Sequence, residues 1–249
     1  MFNRVYCKDN LELLKEIPDE CIDLIYNDIL YGTGKNFTYY KDLKADRKII
    51  EDFYLPRFIE MKRVLKSNGS IFIQMDYRIN HWIRCLLDDV FGYENLCNEI
   101  IWEYNSSPRK KKRFGNRHDT IYWYSKNGDP YMDENAAVVR EPYSPTAPRG
   151  YEKEKYYHPL GKVVGDVWKI NMLGQNDKTE RTGYPTQKPE KLLERIVIAC
   201  CPENGVVADF FCGSGTSLAV AKKNGRRFIG CDISEEAVKI TMKRLTEIN

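Results

Sequence analysis

Two stretches of this chain bring acids, aromatic rings and glycines together at spacings that could do chemistry. The first, "DLIYNDILYGTG", closes an almost wholly apolar run with Asn27, Asp28 and Tyr31. Such a run reads as a parallel strand buried on both faces, so these residues stand just past its carboxyl end, the edge where open α/β sheets bind ligands. A carboxylate, a ring and exposed carbonyls together suit a flat base that carries an amino group. The acceptors meet the NH₂ and the ring stacks. The second stretch, "ADFFCGSGTS", sets Asp209, Gly213 and Gly215 ahead of a helix. Glycines let the backbone turn tightly and approach a ligand, and the helix start offers free N–H groups. Asp232 ends the following strand, "RRFIGCDI", where a carboxylate can accept from both hydroxyls of a ribose.

A lone Gly-x-Gly also fits a plain strand-to-helix turn, and that reading stands beside the functional one. A dinucleotide site fits less well. Leu218 occupies the third glycine position of G-x-G-x-x-G, and Asp209 would repel a pyrophosphate. No G-x-x-x-x-G-K-[ST] pattern is present. Asp209 and Asp232 together point to a nucleoside without phosphates.

Alternating strands and helices must position these groups. "NRVYCKD" reads as a strand and "NLELLKEI" as a helix with Asn10 as its cap; "CIDLIYND" is the next strand. Apolar spacing predicts a helix from Arg47 to Leu65 that "KSNG" stops through its glycine. "SIFIQMD" is a buried strand ending in an acid, and "INHWIRCLLDDVFG" a helix with a glycine near its end. From Glu103 to Thr182 Pro, Tyr, Gly and charge dominate, and the strands "TIYWYSK" and "GDVWKI" stand alone. "KPEKLLERIVIACC" resumes helical spacing with Pro189 in its first turn. "GVVADFF", "SLAVAKKNG" and "RRFIGCDI" follow as strand, helix and strand, and Ser234 caps "SEEAVKITMKRL" with Glu235 and Glu236 in its first turn. Strand–helix alternation predicts an α/β fold with a mostly parallel sheet and helices on both faces.

Composition narrows the function classes. A chain of 249 residues can bury one large core with an inserted region. No apolar run is long enough to span a membrane, and "MFNRVYCKDNLELL" lacks the apolar stretch of a leader, so the cytoplasm is the expected compartment. The eight cysteines are scattered, without C-x-x-C, and the three histidines lie far apart, so neither a disulfide framework nor a metal site is expected. Net charge is only +3, so any nucleic-acid surface has to be a local patch.

These motifs resemble those of a known family. "DILY" is similar to D-P-P-Y, and "DFFCGSGT" to F-x-G-x-G, of the β-class amino-methylating DNA methyltransferases, and "GYPTQKPEKLLERIV" resembles their segment ahead of the cofactor strand. Three motifs in the family's order, spread over nearly the whole chain, are more specific than any one. The resemblance implies a circularly permuted Rossmann-like methyltransferase fold, in which the C-terminal strands begin the nucleoside-binding half and the N-terminal strands continue it. It divides the chain into a catalytic half (1–102), a target-recognition insertion (103–182) and a cofactor-binding half (183–249).

The resemblance also implies S-adenosylmethionine as cofactor, double-stranded DNA as substrate, and room for a partner restriction endonuclease or a homodimer. Asp28, Ile29, Leu30 and Tyr31 then form the catalytic turn, with Asp28 and the Ile29 carbonyl accepting from the amino group. Asp209, Phe211, Gly213, Gly215, Thr216 and Asp232 form the cofactor site, with Gln187 and Lys188 at the methionine end. Asp9 falls near the cofactor's adenine, or serves only as a helix cap. Asp28 favours adenine N6, since cytosine-N4 members often carry serine there. Cytosine N4 stays open as an alternative, as does an impaired DNA-binding relative, because Ile29 and Leu30 replace two prolines. The groups that touch the base remain, so activity is expected, and restoring the prolines is expected to be harmless or favourable. A nicotinamide dehydrogenase would leave "DILY" and "YPTQKP" unexplained.

Inside the insertion, "SSPRKKKRFGNRHDTIYWY" carries Arg109, Lys110, Lys111, Lys112, Arg113 and Arg117 against one acid, Asp119. Beside Phe114 and Trp123 the run reads as a phosphate-contacting loop, with a solvated loop as the plain alternative. Tyr122 and Tyr124 read as core. Lys178, Arg181 and Lys188 form a second positive rim or are ordinary surface charge.

Overall fold

In a computed structural model, which describes residues 1–105, 112–143, 158–174, 177 and 179–248, two α/β halves share one sheet. The N-terminal half runs β1 (Arg4–Cys7), α1 (Asn10–Glu16), β2 (Ile22–Asp28), α2 (Arg47–Val64), β3 (Leu65–Met75) and α3 (Asn80–Phe91). Next come β4 (Leu96–Glu103), β5 (His118–Ser125), the short strands β6 (Arg140–Glu141) and β7 (Lys162–Val163), and β8 (Val167–Lys169). The C-terminal part is α4 (Glu190–Cys200), β9 (Val206–Asp209), α5 (Thr216–Lys223), β10 (Arg227–Asp232) and α6 (Glu235–Thr246).

The main sheet has the order β1-β10-β9-β2-β3-β5-β4-β8. The two C-terminal strands therefore lie between the two N-terminal ones, with Val5 opposite Gly230 and Ile25 opposite Ala208, all parallel. This is the permuted topology. From β9 the sheet grows one way through β10 and β1, and from β2 the other way through β3, so a switch point opens between β9 and β2. Because the strands are parallel, their carboxyl ends bring Asp28, Asp209 and Asp232 to one edge.

Side chains alternate across this sheet. Ile25 of β2 and Ala208 of β9 pack with Leu13, Tyr54, Phe58 and Leu87 of α1 to α3. Leu24, Tyr26 and Val207 pack on the other face with Leu192, Ile196 and Leu218 of α4 and α5. Covering both faces accounts for the continuous apolar runs. Tyr122 and Tyr124 are buried, in keeping with a core role.

Four local expectations are corrected. The helix from Arg47 ends at Val64, and Lys66 to Gly69 already belong to β3, so "KSNG" is strand rather than stop. Leu65 turns extended and its N–H still reaches the Met61 carbonyl, which ends α2 without glycine. Helix α1 is capped by Asp9, whose carboxylate accepts from the Leu11 N–H, and not by Asn10. The strand "TIYWYSK" does not stand alone: β5 lies antiparallel between β3 and β4, and "GDVWKI" supplies β8 beside β4. Strand β4, "LCNEIIWE", was not anticipated, because its polar residues break the apolar pattern.

Candidate active site

A cavity of about 540 Å³ opens at the switch point and joins the two acidic strand ends. Asp28, Ile29, Leu30 and Tyr31 line one end; Asp9, Asp209, Phe211, Gly213, Thr216 and Asp232 line the other; Gln187 and Lys188 lie between. Gly215 is not itself a lining residue but sets the turn.

At the catalytic end, Asp28 has both oxygens engaged. Oδ1 accepts from the Tyr31 hydroxyl at 2.7 Å, and Oδ2 accepts from the Lys188 ammonium. Burial pushes the Asp28 carboxyl above the usual carboxylate range, while Lys188 pulls it back. Tyr31 also donates toward Asp119 Oδ2 at 2.8 Å, and burial holds its phenol well above the ordinary value. The turn after Tyr31 is fixed by Asp42, whose carboxylate accepts from the Gly32 and Thr33 N–H groups at 3.1 and 2.9 Å. Asn27 faces away from the cavity. It is fully buried and accepts from the Phe210 N–H at 2.8 Å, so it ties β2 to the glycine loop and leaves the chemistry to Asp28.

The two positions that replace proline are both engaged. The Ile29 N–H donates to the Gln74 carbonyl at 3.1 Å and its side chain is buried in the core. A proline there would forgo that bond, a backbone cost to set against the fixed φ that it brings to the turn. The Leu30 carbonyl accepts from Tyr54 at 3.1 Å.

At the glycine loop, Asp232 braces the backbone. Its Oδ2 accepts from the Gly213 N–H and its Oδ1 from the Ser234 N–H, both at 2.9 Å, and burial raises its carboxyl. Gly215 has φ 67°, and any Cβ on it would run into the Thr241 side chain. Gly213 has φ 48° and lies under Tyr184, so neither position admits a side chain without strain. Asp209 is buried, accepts from the Phe211 N–H at 3.1 Å and from the Ser217 hydroxyl, and is pushed up to about 7 by burial. Cys212 is buried with its thiol held well above the ordinary value, which suits packing rather than nucleophilic attack.

Asp9 caps α1 through one oxygen, pairs with Arg57 at 2.7 Å through the other, and lines the cavity. Gln187 lines the cavity too, but its amide holds the preceding loop. It accepts from the Thr182 N–H at 2.8 Å and donates to the Glu180 carbonyl at 2.7 Å. Thr216 donates its hydroxyl to the Lys188 carbonyl at 3.2 Å, which latches the "QKP" segment to α5. Lys188 is no part of a positive rim: its side chain is 11% exposed and turned inward to Asp28.

Lys112, Arg113 and Arg117 are exposed on the segment leading into β5, with Phe114 98% exposed among them. Arg109, Lys110, Lys111 and Lys178 lie outside the described residues. Arg181 is exposed and donates to the Gly174 carbonyl. Among the described residues no group of three or more His, Cys, Asp or Glu could hold a metal ion, and no helix is long and apolar enough to cross a membrane.

Several site residues were missed. Gln74 was legible as a polar residue in the buried run "SIFIQM", and Arg57 as a charge on the apolar stripe of α2. Tyr184 and Ile233, both lining the cavity, gave no signal beyond their position next to the motifs.

Comparison with known proteins agrees with the geometry. A family model for N6/N4 enzymes, described as DNA methylase, matches residues 22–243. The chain is 34% identical to the DNA adenine methyltransferase YhdJ of Escherichia coli (strain K12) over 243 residues, 95% of this chain and 80% of that one. The fold is similar to that of the PvuII DNA methyltransferase (cytosine-N4-specific), with TM-score 0.72, 20% identity, and 96% and 85% of the two chains covered. It is also similar to the M1.HpyAVI–SAM complex, with TM-score 0.64, 20% identity, and 97% and 98% covered.

Proposed function

Because the chain belongs to the N6/N4 family of DNA methylases, whose cofactor is S-adenosylmethionine, we propose that it methylates N6 of an adenine flipped from duplex DNA. The observation that carries this reading is the single cavity with Asp28 and Tyr31 at one end and the Asp232-braced glycine loop at the other. The choice of adenine is supported by the carboxylate at Asp28 and by the adenine activity named for the 34% identical relative.

The residues present fit the cofactor. Gly213 brings backbone to the cavity wall in a turn that Gly215 sets, and Asp232 supplies the acceptor for ribose hydroxyls. Ile233, 70% exposed at the cavity wall, and Phe211 offer apolar surface for a purine. S-adenosylmethionine, when bound, supplies an electrophilic sulfonium methyl. Asp28 accepts a hydrogen from the adenine amino group and stabilises the charge that develops as the nitrogen becomes tetrahedral. The Ile29 carbonyl accepts a hydrogen bond from the second N–H, the Tyr31 ring stacks on the base, and the cationic nitrogen gives up one of its two protons once the N–C bond has formed. The chain's main contribution is to hold the nitrogen in line with the methyl group. No covalent enzyme intermediate is required.

Residues 103–182 supply target recognition in this proposal, with the basic residues ahead of β5 on phosphates. Replacing Lys112, Arg113 and Arg117 with Ala should weaken binding to all DNA sequences alike. The salt dependence should flatten by about 0.9 for each phosphate that is no longer neutralised, and cofactor affinity should stay unchanged. An unaltered salt slope would leave these residues as a solvated loop.

The direct test is transfer of tritiated methyl to unmethylated duplex DNA, followed by nucleoside analysis. N6-methyladenine is the expected product. N4-methylcytosine would overturn the choice of base alone, and DNA binding without any transfer would overturn the enzyme reading.

A further inference from the structure

The acid Asp119, which stands out in an otherwise basic stretch, lies far from the phosphate-facing residues in role. It is 5% exposed, and its position near the start of β5 brings it beside the catalytic turn. Its Oδ2 receives the Tyr31 hydroxyl at 2.8 Å and the Gln74 amide at 3.0 Å; its Oδ1 receives the Tyr104 hydroxyl at 3.0 Å. Gln74 is held in turn by the Tyr26 hydroxyl at 2.7 Å. The carboxylate is thus fixed from three sides.

The Tyr31 hydroxyl has one hydrogen and two carboxylate acceptors, Asp28 at 2.7 Å and Asp119 at 2.8 Å. Asp28 also has Lys188 on its second oxygen. Each carboxylate oxygen can accept two hydrogen bonds, so a base amino group that comes to Asp28 shares an oxygen with Lys188 or with Tyr31, and it is held more strongly where the resident donor lets go. Removing Lys188 would leave a buried carboxylate without its counter-charge, the costlier course. Releasing Tyr31 costs little, because its hydrogen already has another acceptor within reach.

Resting on the methylation reading above, we propose that Asp119 is a positioning residue that takes over the Tyr31 hydrogen when the target base engages Asp28. The exchange frees Asp28 Oδ1 for the amino group and leaves the Lys188 ion pair in place. It also keeps the Tyr31 ring anchored by its hydroxyl while the ring stacks on the base.

A double-mutant cycle tests this, read as single-turnover methyl transfer to unmethylated plasmid DNA, with cofactor affinity and thermal melting as controls. Asp119→Ala should slow transfer about 10- to 100-fold, the scale of one lost hydrogen bond to a charged group. Asp119→Asn should stay within about threefold of the parent, since its amide oxygen still accepts from Tyr31 and Gln74 and its NH₂ can donate to Tyr104. In a Tyr31→Phe background, which lacks the hydroxyl, Asp119→Ala should cause no further loss. A residue that merely supports the fold would cost the same factor in both backgrounds, and that result overturns the proposal. An Asp119→Asn variant as slow as Asp119→Ala overturns it as well, because charge and not acceptance would then matter. Asp119→Leu, close in shape to Asp, replaces the alanine variant in the cycle if that one does not fold. A parent protein that transfers no methyl defeats the function reading itself, whereas an active parent with an additive cycle defeats only the role of Asp119.

Discussion

Asp28→Ala should lower methyl transfer by about 10²-fold or more, with cofactor and DNA still bound. The loss has two sources in this geometry. The amino group loses its acceptor at the moment positive charge develops on nitrogen. Lys188 also loses its partner and is left as an uncompensated, mostly buried cation next to the reacting atoms. Asp28→Asn separates the two, since it keeps an acceptor oxygen but no charge for Lys188. It should fall between the parent and the alanine variant. Because only the ionised carboxylate accepts from both partners, the parent's rate should decline as pH falls through the Asp28 pKa, which burial sets above the usual carboxylate range. Tritiated methyl transfer gives the rate; calorimetry and filter binding give the two affinities. Full turnover by a folded Asp28→Ala protein would remove the carboxylate from the mechanism.

The parts of this site that were legible in the sequence are those tied to backbone geometry. A parallel strand covered on both faces must be apolar throughout, so β2 and its terminal Asp28 stood out, as did β9 and the glycine turn. The order of motifs pointed to the permuted sheet that β10 and β9 form between β1 and β2. Long-range partnership was not legible. Lys188 and Asp28 are separated by 160 positions and meet only because the "QKP" segment is latched to α5. For that reason Lys188 looked like a residue at the methionine end of the cofactor site or like rim charge, and not like the partner of Asp28. Asp119 looked like a lone acid in a basic loop, because nothing local shows that β5 enters the sheet antiparallel beside β3. The glycine of "KSNG" misled differently: a stop signal is a local preference, and the pairing of Leu65 with Ile22 overrode it.

Asp232→Ala should weaken S-adenosylmethionine binding by about 1.5–3 kcal/mol, the range for hydrogen bonds to a charged group. The carboxylate has two tasks here, and both are lost together. As ribose acceptor it would contribute directly. As the brace for the Gly213 and Ser234 N–H groups it keeps the glycine loop in its left-handed turn before any ligand arrives. Asp232→Asn distinguishes the tasks: its amide oxygen can still brace one N–H, while its NH₂ faces the other as a second donor. A brace-only residue would show a large entropic penalty on binding in the alanine variant, as the freed loop orders around the cofactor, and a smaller one in the asparagine variant. A ribose acceptor would lose affinity in both, chiefly in enthalpy. Titration calorimetry on folded protein reads the two signatures separately. Unchanged affinity in Asp232→Ala would exclude the ribose role and leave the glycine loop to hold the cofactor through its backbone alone.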